Sequence, residues 1–284
     1  MKHKLHLFLV LTFFPLLLLS QTMEKQTDSL ICISTPQGNI TVRLYNDTPD
    51  HQHNFIKLVK SGFYDSTLFH RVIDGFMIQG GDPDSKNAVA GMELGNGGPG
   101  YDISAEITPV HFHHRGALAA AREADNINPQ RLSSGSQFYI VQGKVQTETD
   151  LEKVEKENES FAKQQIFIGL MKNPENLSLK NRFFSPDAKK DTAGFNHLLD
   201  TLNLMIGQKY SQNPAFTFTG EQRQVYTTVG GTPHLDGKYT IFGEVVDGMS
   251  VVDAIAGEET DENDRPYTDI PMIITLITPK KSKP

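Results

Sequence analysis

The sequence predicts a mainly β protein, either an antiparallel sandwich or a barrel, with few helices. From residue 30 the chain consists mostly of short segments rich in β-branched and aromatic residues, separated by glycine-containing turns. Outside a charge-rich stretch at residues 143–225, only two of the segments have the periodicity of a helix. Strands that do not alternate with helices argue against a parallel βαβ sheet and favour an antiparallel one. Of the two arrangements, a barrel leaves no open strand edge.

The first predicted elements are a hairpin and a helix. Residues 30–45, LICISTPQGNITVRLY, contain two β-rich runs around a Pro-Gln-Gly-Asn turn, which is typical of a hairpin. An N-cap at Asp47 or Thr48, followed by Pro49, then predicts a short amphipathic helix. Gly62 is the expected end of this helix, because glycine commonly terminates helices.

Further strands and a second helix complete the predicted β domain. The strands are expected at 68–73, 76–80, 116–121, 138–142, 239–246 and 270–278. The second helix is expected at 249–255, between the last two strands. Together with the hairpin and the first helix, these elements predict one β domain that carries two helices.

A helical insertion is predicted to interrupt this domain at residues 143–225. Segments 150–171 and 191–210 read as helices with charge-rich faces, and Thr149 is a plausible cap for the first. The insertion could be a packed decoration, or it could extend a binding cleft and grip partner chains. In the first case, its apolar residues would cover a small core of its own, among them Phe167, Ile168, Leu170 and Met171.

The N-terminus predicts export. Lys2 and Lys4 precede an apolar run over residues 5–19, and polar residues begin directly after it. The run is shorter than the roughly 20 residues needed to span a bilayer. Residues 1–20 therefore predict a cleaved signal peptide and no stable membrane anchor. We expect the mature chain to be periplasmic or secreted.

Composition limits the possible partners and crosslinks. The 284 residues carry a formal net charge of -7, which gives no electrostatic case for binding nucleic acid. The one cysteine, Cys32, cannot form a disulfide within the chain, so stability must come from packing. We expect Cys32 to be a small buried core residue, since no cationic residue near it in sequence would activate the thiol.

Three motifs resemble the cyclophilin family of peptidyl-prolyl cis-trans isomerases. They are FHRVIDGFMIQGGD from Phe69, SSGSQFYIV from Ser133 and HLDGKYTIFGEVVDGMSVVDAI from His234. The resemblance covers roughly residues 30–142 and 226–278. It implies a closed eight-stranded antiparallel β-barrel capped by two helices. It also implies isomerisation of X-Pro bonds in polypeptides, with no cofactor.

The resemblance also implies a site within an isomerase domain at 28–280. Arg71 matches the catalytic arginine, which is thought to donate to the prolyl nitrogen as the bond twists. Arginine suits this role because it stays charged and its donors form a rigid fork. The implied substrate-binding residues are His70, Phe76, Met77, Gln79, Ala121, Arg122, Glu123, Gln137, Tyr139, Leu235 and Tyr239.

Within this set, four residues match the apolar pocket for the proline ring: Phe76, Met77, Tyr139 and Leu235. Because Phe76 and Met77 are adjacent, a strand would point them to opposite faces. Gln79 matches the glutamine that holds the arginine and contacts substrate. His70 matches a histidine near the substrate carbonyl, and Gln137 a second glutamine of the family motifs. Residues 121–123 match backbone that meets the residue before proline.

The chain departs from the best-known members of the family at four positions. His234 stands where a tryptophan is common, and Arg122 stands where an asparagine is usual. Tyr239 replaces a histidine, and Tyr139 replaces a phenylalanine of the pocket. These changes affect residues that flank proline more than the isomerisation step. The helical insertion and the replaced tryptophan leave a second hypothesis open, a chaperone or scaffold that binds proline segments and whose turnover is incidental.

Two further clusters favour ordinary interpretations. His111 and His113 alternate along an extended segment, but without a cysteine or clear carboxylate partner they do not predict a metal site. The acidic residues of 258–264 lack the ligand spacing of a calcium loop and predict a solvated turn. We expect a monomer without metal or cofactor.

Overall fold

The computed structural model describes residues 29–188 and 190–277. The expected signal peptide, residues 1–20, lies outside the described residues, as do both ends of the 28–280 range. The strands are β1 Ser29–Thr35, β2 Gly38–Leu44, β3 Thr67–Ile73, β4 Met77–Gly80, β5 Asp102–Ile103, β6 Ala117–Ala120, β7 Ser133–Ser134, β8 Phe138–Val141, β9 Ile241–Asp247 and β10 Pro271–Ile277. The α-helices are α1 Pro49–Lys60, α2 Glu148–Lys172, α3 Leu177–Phe183, α4 Thr192–Gln212, α5 Gly220–Thr228 and α6 Met249–Ala256.

Eight of these strands form a closed antiparallel barrel in the order β1-β10-β3-β4-β8-β6-β9-β2. The predicted fold class is therefore confirmed, and so are the two helices of the β domain, α1 and α6. The remaining strands, β5 and β7, pair with each other outside the barrel. Each is two residues long, which is too short to leave a periodic pattern in the sequence.

Strict alternation along β1 and β2 fills the inside of the barrel. Ile31 and Ile33 are fully buried in the main core, whereas Cys32 between them is half-buried and faces outward. Its Sγ lies 3.6 Å from Ser34 Oγ. The prediction of a buried core cysteine is therefore wrong, because successive strand residues point to opposite faces and the two isoleucines occupy the inner one.

Strands β6 and β8 are buried on both faces. Leu118, Ala120, Phe138 and Ile140 join the core inside the barrel. Their neighbours instead form a second apolar cluster on the outside, with members Met77, Ala117, Ala119, Ala121, Tyr139, Val141 and Ile241. An apolar outer face is usually covered by other parts of the chain. Residues of this outer cluster also line a cleft.

Helix α1 begins after Thr48, as predicted, but the Thr48 side chain does not cap it. Instead, the Glu106 carboxylate accepts the backbone N–H groups of Asp50 and His51, at 3.1 and 3.0 Å. His51 Nδ1 lies 2.7 Å from the same carboxylate. A residue 55 positions away thus satisfies the free N–H groups of the first turn.

The helices between β8 and β9 run from Glu148 to Thr228. The predicted cap of α2 at Thr149 is wrong: Thr147 is the N-cap and forms a reciprocal capping box with Asp150. Both long helices are present, as α2 and α4. Sequence reasoning missed α3 and α5, and the expected end of the insertion at residue 225 falls inside α5.

The helices divide between two apolar clusters. Away from the barrel, Leu170, Met171, Leu198 and Leu202 form a core that Phe167 also joins, whereas Ile168 is not part of it. Close to the barrel, a second cluster holds α2 and α5 through Leu151, Phe218 and Tyr226, with Phe112 packed against it. The helical segment therefore has an outer lobe with its own core and a root packed on the barrel.

The two ends of this segment meet at one point. Gly231 N–H donates to the Lys144 carbonyl at 3.0 Å, and the reverse bond measures 3.4 Å. Gly143 has φ +66°, and a Cβ there would lie 2.5 Å from Gly231 Cα. Only glycine allows this approach.

In residues 29–188 and 190–277, no helix is both long and apolar enough to cross a bilayer.

Two buried histidines stand out among the polar groups that support the barrel. His51 pairs with Glu106, and the fully buried His113 lies 2.8 Å from Asp236 through Nδ1. Burial lowers the pKa of both imidazoles, although each carboxylate partner opposes this effect. Both rings are therefore neutral in the folded state at neutral pH.

Removal of the remote cap should destabilise the fold. We expect Glu106→Ala to lower the free energy of unfolding by about 1–3 kcal/mol, because it leaves two helix N–H groups and His51 without their acceptor. Urea denaturation measures this change. The exposed Glu152→Ala on α2 is the control and should stay within about 0.5 kcal/mol of the parent. An equal effect of both substitutions would contradict the capping role.

Stability should also fall in mild acid. Because the folded-state pKa values of His51 and His113 are lowered, the unfolded chain takes up protons first as pH falls below about 6.5. The free energy of unfolding should then fall by at most about 1.4 kcal/mol per pH unit for each histidine, until the folded-state pKa is passed. Urea denaturation between pH 7.5 and about 5 tests this. His113→Gln should flatten the slope, and the exposed His197→Gln should not.

Candidate active site

A β-bulge sets the position of the predicted catalytic arginine. In the pairing of β3 with β4, Phe69 lies opposite Gly80 and Arg71 lies opposite Gln79, so His70 is the extra residue. Without the bulge, Arg71 would lie opposite Ile78, whose side chain is in the barrel core. The bulge therefore directs Arg71 to the outer face of the sheet, next to Gln79.

One row of cross-strand pairs on this face connects the polar and apolar parts of the site. Arg71 pairs with Gln79, Gln79 with Tyr139, Tyr139 with Ala119 and Ala119 with Ile241. Residues paired in this way have Cβ atoms about 5 Å apart. The barrel register thus fixes the order of guanidinium, amide and aromatic ring along the cleft.

Two side chains hold the guanidinium of Arg71. Its Nε lies 3.3 Å from Asp264 Oδ2, and its Nη1 lies 3.5 Å from Gln79 Oε1, at the limit for a hydrogen bond. The Arg71 side chain remains 42% exposed. Across residues 29–188 and 190–277, Nη2 makes no hydrogen bond, so this donor is not engaged within the described part of the protein.

Gln79 belongs to a chain of amide hydrogen bonds. Its Nε2 donates to Gln137 Oε1 at 3.1 Å, and Gln137 Nε2 donates to the carbonyls of Gly95 and Gly97 at 2.8 and 2.7 Å. The buried Asp82 accepts the N–H groups of the same two glycines. These bonds hold the loop of Gly95 and Gly97 in place. The loop in turn holds the Gln137 amide, which positions the Gln79 amide next to Arg71.

Beside this polar end, the outer cluster forms an apolar cup. Met77, Tyr139, Phe76, Leu235 and Tyr239 line it. Both adjacent residues of the Phe76-Met77 pair reach the cup, because Phe76 belongs to the preceding turn and β4 starts only at Met77. Strand alternation therefore does not separate them. An apolar cup next to a fixed cation suits a small ring that carries a polar amide.

Two of the substituted positions, Arg122 and His234, contact aromatic residues of the cup. The Arg122 guanidinium lies 4.5 Å from the centre of the Tyr239 ring, and its Nη2 lies 2.7 Å from Asp125. This side chain is turned back onto its own loop, so it is not a second free cation in the cleft. The rings of Phe76 and His234 are 5.6 Å apart, but His234 itself is not among the residues that line the cleft.

The backbone at 121–123 is only partly available to a substrate. Ala121 N–H donates to Gln137 O at 3.0 Å, and Ala121 O accepts Ser134 N–H at 2.8 Å. The Glu123 carbonyl accepts a hydrogen bond from Arg122 Nη1. Within the described part of the chain, the Arg122 backbone makes no such bond. The Glu123 N–H is likewise unbonded among the described residues, so this edge offers the Arg122 backbone groups and the Glu123 N–H.

His70 lies in the floor of the cleft and is 3% exposed. Neither ring nitrogen has a hydrogen-bond partner among the described residues. Burial lowers the pKa of His70, so the ring is neutral at neutral pH. A buried, neutral ring shapes the floor but carries no charge into it.

All twelve predicted site residues line a single cleft of about 1140 Å³. Their roles remain predictions, since position alone does not assign them. Sequence reasoning missed Asp264, which was expected in a solvated acidic turn and instead pairs with Arg71. Its backbone carbonyl also accepts Val72 N–H at 2.8 Å. The only sequence signal was its place just before the last strand, and that strand pairs with β3.

Comparison with known proteins identifies the family of this fold. The family model described as cyclophilin type peptidyl-prolyl cis-trans isomerase/CLD matches residues 30–177 and 214–276. A Streptococcus pyogenes protein named as a bifunctional phosphatase/peptidyl-prolyl cis-trans isomerase is 31% identical over 251 residues, which are 87% of this chain and 38% of that protein. The chain thus spans well under half of that relative.

A Staphylococcus aureus protein named as a peptidyl-prolyl cis-trans isomerase is 29% identical over 247 residues, 87% of this chain and 90% of that protein. The crystal structure of a Cryptosporidium parvum cyclophilin-type isomerase has a TM-score of 0.50 at 20% identity, and covers 89% of this chain and 99% of that one. At this identity the likeness concerns the fold. Because the family model matches more than half of the residues, the chain belongs to the cyclophilin-type peptidyl-prolyl cis-trans isomerases, enzymes that interconvert the cis and trans forms of X-Pro bonds.

Proposed function

We propose that the mature chain acts as a monomeric folding catalyst for exported polypeptides, with Arg71 as its catalytic residue. One observation supports this assignment above the others. Arg71 lies in the same cross-strand row as Tyr139 of the apolar cup, separated from it only by Gln79. A proline ring seated in the cup would therefore bring its nitrogen toward a cation that the sheet already holds in place.

The reaction requires no nucleophile. An X-Pro bond resists rotation because the nitrogen lone pair is delocalised into the carbonyl, which gives a barrier of about 18–20 kcal/mol. As the bond twists, the lone pair returns to the nitrogen and can accept a hydrogen bond. Arg71 donates to this nitrogen more strongly in the twisted state than in either planar one. Such a difference between states accelerates the reaction.

Asp264 and Gln79 contribute by orientation. They hold Arg71 Nε and Nη1, so the guanidinium plane is restricted and Nη2 stays free to donate to a substrate. A guanidinium fixed before substrate arrives loses less rotational freedom during the reaction. The Phe76, Met77 and Tyr139 side chains exclude water from the prolyl ring, which strengthens the hydrogen bond from Arg71.

Replacement of Arg71 should remove most of the activity without unfolding the barrel. One charge-assisted hydrogen bond stabilises by about 1.5–3 kcal/mol, so we expect Arg71→Ala to lower kcat/KM for a short X-Pro peptide by about tenfold to hundredfold. NMR exchange spectroscopy or a fluorogenic peptide measures the rate. The exposed Arg182→Ala on α3 is the matched control and should retain parental activity.

Equal rates for the parent and Arg71→Ala would contradict the catalytic role of Arg71. A rate at background for the parent itself would favour a binding module for proline segments. Thermal unfolding of both variants should match the parent, because Arg71 is half-exposed and its ion pair with Asp264 is partly solvated.

The proposal of export is supported by the two lysines and the apolar run of residues 1–20. A folding catalyst in the periplasm or outside the cell would meet polypeptides as they emerge unfolded. Slow X-Pro isomerisation limits the folding of such chains in the absence of a catalyst.

The leader should direct export and be removed. With a C-terminal tag, we expect the exported protein to lack about the first 20 residues, as N-terminal sequencing would detect. Leu17→Arg places a charge in the apolar run and should keep the full-length chain in the cytosol. Leu177→Arg, at an exposed position of α3, is the control and should leave export unchanged. A full-length parental chain found only in the cytosol would contradict the proposal.

A further inference from the structure

Four buried polar side chains link the proline cup to the helical segment. Tyr139 Oη lies 2.9 Å from His113 Nε2, and His113 Nδ1 lies 2.8 Å from Asp236 Oδ1. Tyr226 Oη lies 2.6 Å from Asp236 Oδ2. All four residues are at most 5% exposed. Tyr139 lines the cup, whereas Tyr226 belongs to α5, so the series connects the two through three hydrogen bonds.

The direction of each bond follows from the chemistry of its groups. The Asp236 carboxylate can only accept, so Tyr226 O–H, His113 Nδ1–H and the His113 backbone N–H, at 2.8 Å, all donate to it. In a neutral imidazole with a proton on Nδ1, Nε2 is an acceptor. Tyr139 must therefore donate its proton to His113. This leaves every polar atom of the series satisfied.

The arrangement explains how a tyrosine can occupy a position where the family commonly has phenylalanine. Its hydroxyl proton points to His113 and away from the ring-binding space, so the face of Tyr139 toward the cup stays apolar. The two rings are nearly parallel, with 9° between their planes and 6.0 Å between their centres. A hydroxyl without this partner would be a buried, unsatisfied group beside the substrate.

The far end of the series depends on the packing of α5. The Tyr226 ring packs edge-on against Phe112 at 5.4 Å and at 75° to Phe218 at 5.5 Å. Its backbone carbonyl accepts Gln146 N–H at 2.9 Å, at the start of the helical segment. The position of the Tyr226 hydroxyl is thus set by the root of this segment.

We propose that Tyr226, Asp236 and His113 are positioning residues for Tyr139, through which the root of the helical segment sets the geometry of the proline cup. The inference rests on the proposed isomerase function, because it assigns a role to Tyr139 in that reaction. It gives α5 a part in catalysis although α5 does not line the cleft. The outer lobe, α3 and α4, has no part in this series.

A double-mutant cycle tests the proposal. Tyr226→Phe removes one hydroxyl with little change of shape, and we expect kcat/KM for an X-Pro peptide to fall by about threefold to tenfold. In a Tyr139→Phe background, the same substitution should have no further effect on kcat/KM, since no hydroxyl remains to be positioned. Tyr210→Phe, on α4, is the matched control and should leave kcat/KM unchanged in both backgrounds.

Parental kcat/KM in Tyr226→Phe would overturn the proposal, and so would an equal loss in both backgrounds. The second result would mean that Tyr226 acts through general stability, which melting temperatures of all four proteins would reveal. A measurement without substrate separates this inference from the proposed function. ¹⁵N NMR of the parent should show His113 neutral, with its proton on Nδ1. A proton on Nε2 would overturn the direction of the series, whether or not the protein is active.

Discussion

The site depends on one constraint, the pairing register between β3, β4 and β8. A one-residue change of register moves every side chain of a strand to the other face. The extra residue at His70 makes this change within β3, so Phe69 stays in the core and Arg71 faces outward. Because Gln79 and Tyr139 lie in the same row, a single bulge brings cation, amide and ring together. The sheet therefore supplies the rigidity that a loop-borne arginine would lack.

Burial of β6 and β8 on both faces supplies the other half of the site. The inner face closes the barrel, and the outer face holds Tyr139 and the small residues Ala117, Ala119 and Ala121 beneath the cup. Small residues there leave open space above the sheet, and aromatic side chains surround it. A hydrogen bond from Arg71 is stronger in such surroundings than in open water. Shape and electrostatics thus depend on the same strands.

Local sequence patterns predicted the fold well, because strands and turns depend mainly on residues that are close in sequence. Alternation and turn residues located all the barrel strands, and the residues that the motifs singled out all line one cleft. The contacts that the sequence did not reveal are non-local: Glu106 reaches a helix 55 residues away, and Asp264 reaches Arg71 across 193 residues. Helix α5 was missed because its short, polar sequence carries little periodicity. Cys32 was assigned to the core although Ile31 and Ile33 leave it the outer face.

The point where Gly143 and Gly231 meet has a consequence for how such chains diverge. Since both ends of the helical segment leave the barrel side by side, its outer lobe can be lengthened, shortened or exchanged without moving a strand. The family match breaks off at Leu177 and resumes at residue 214, and the missing part contains α4. Lineages could therefore remodel that lobe freely, whereas the root at Leu151, Phe218 and Tyr226 is bound to the barrel and would be inherited with it.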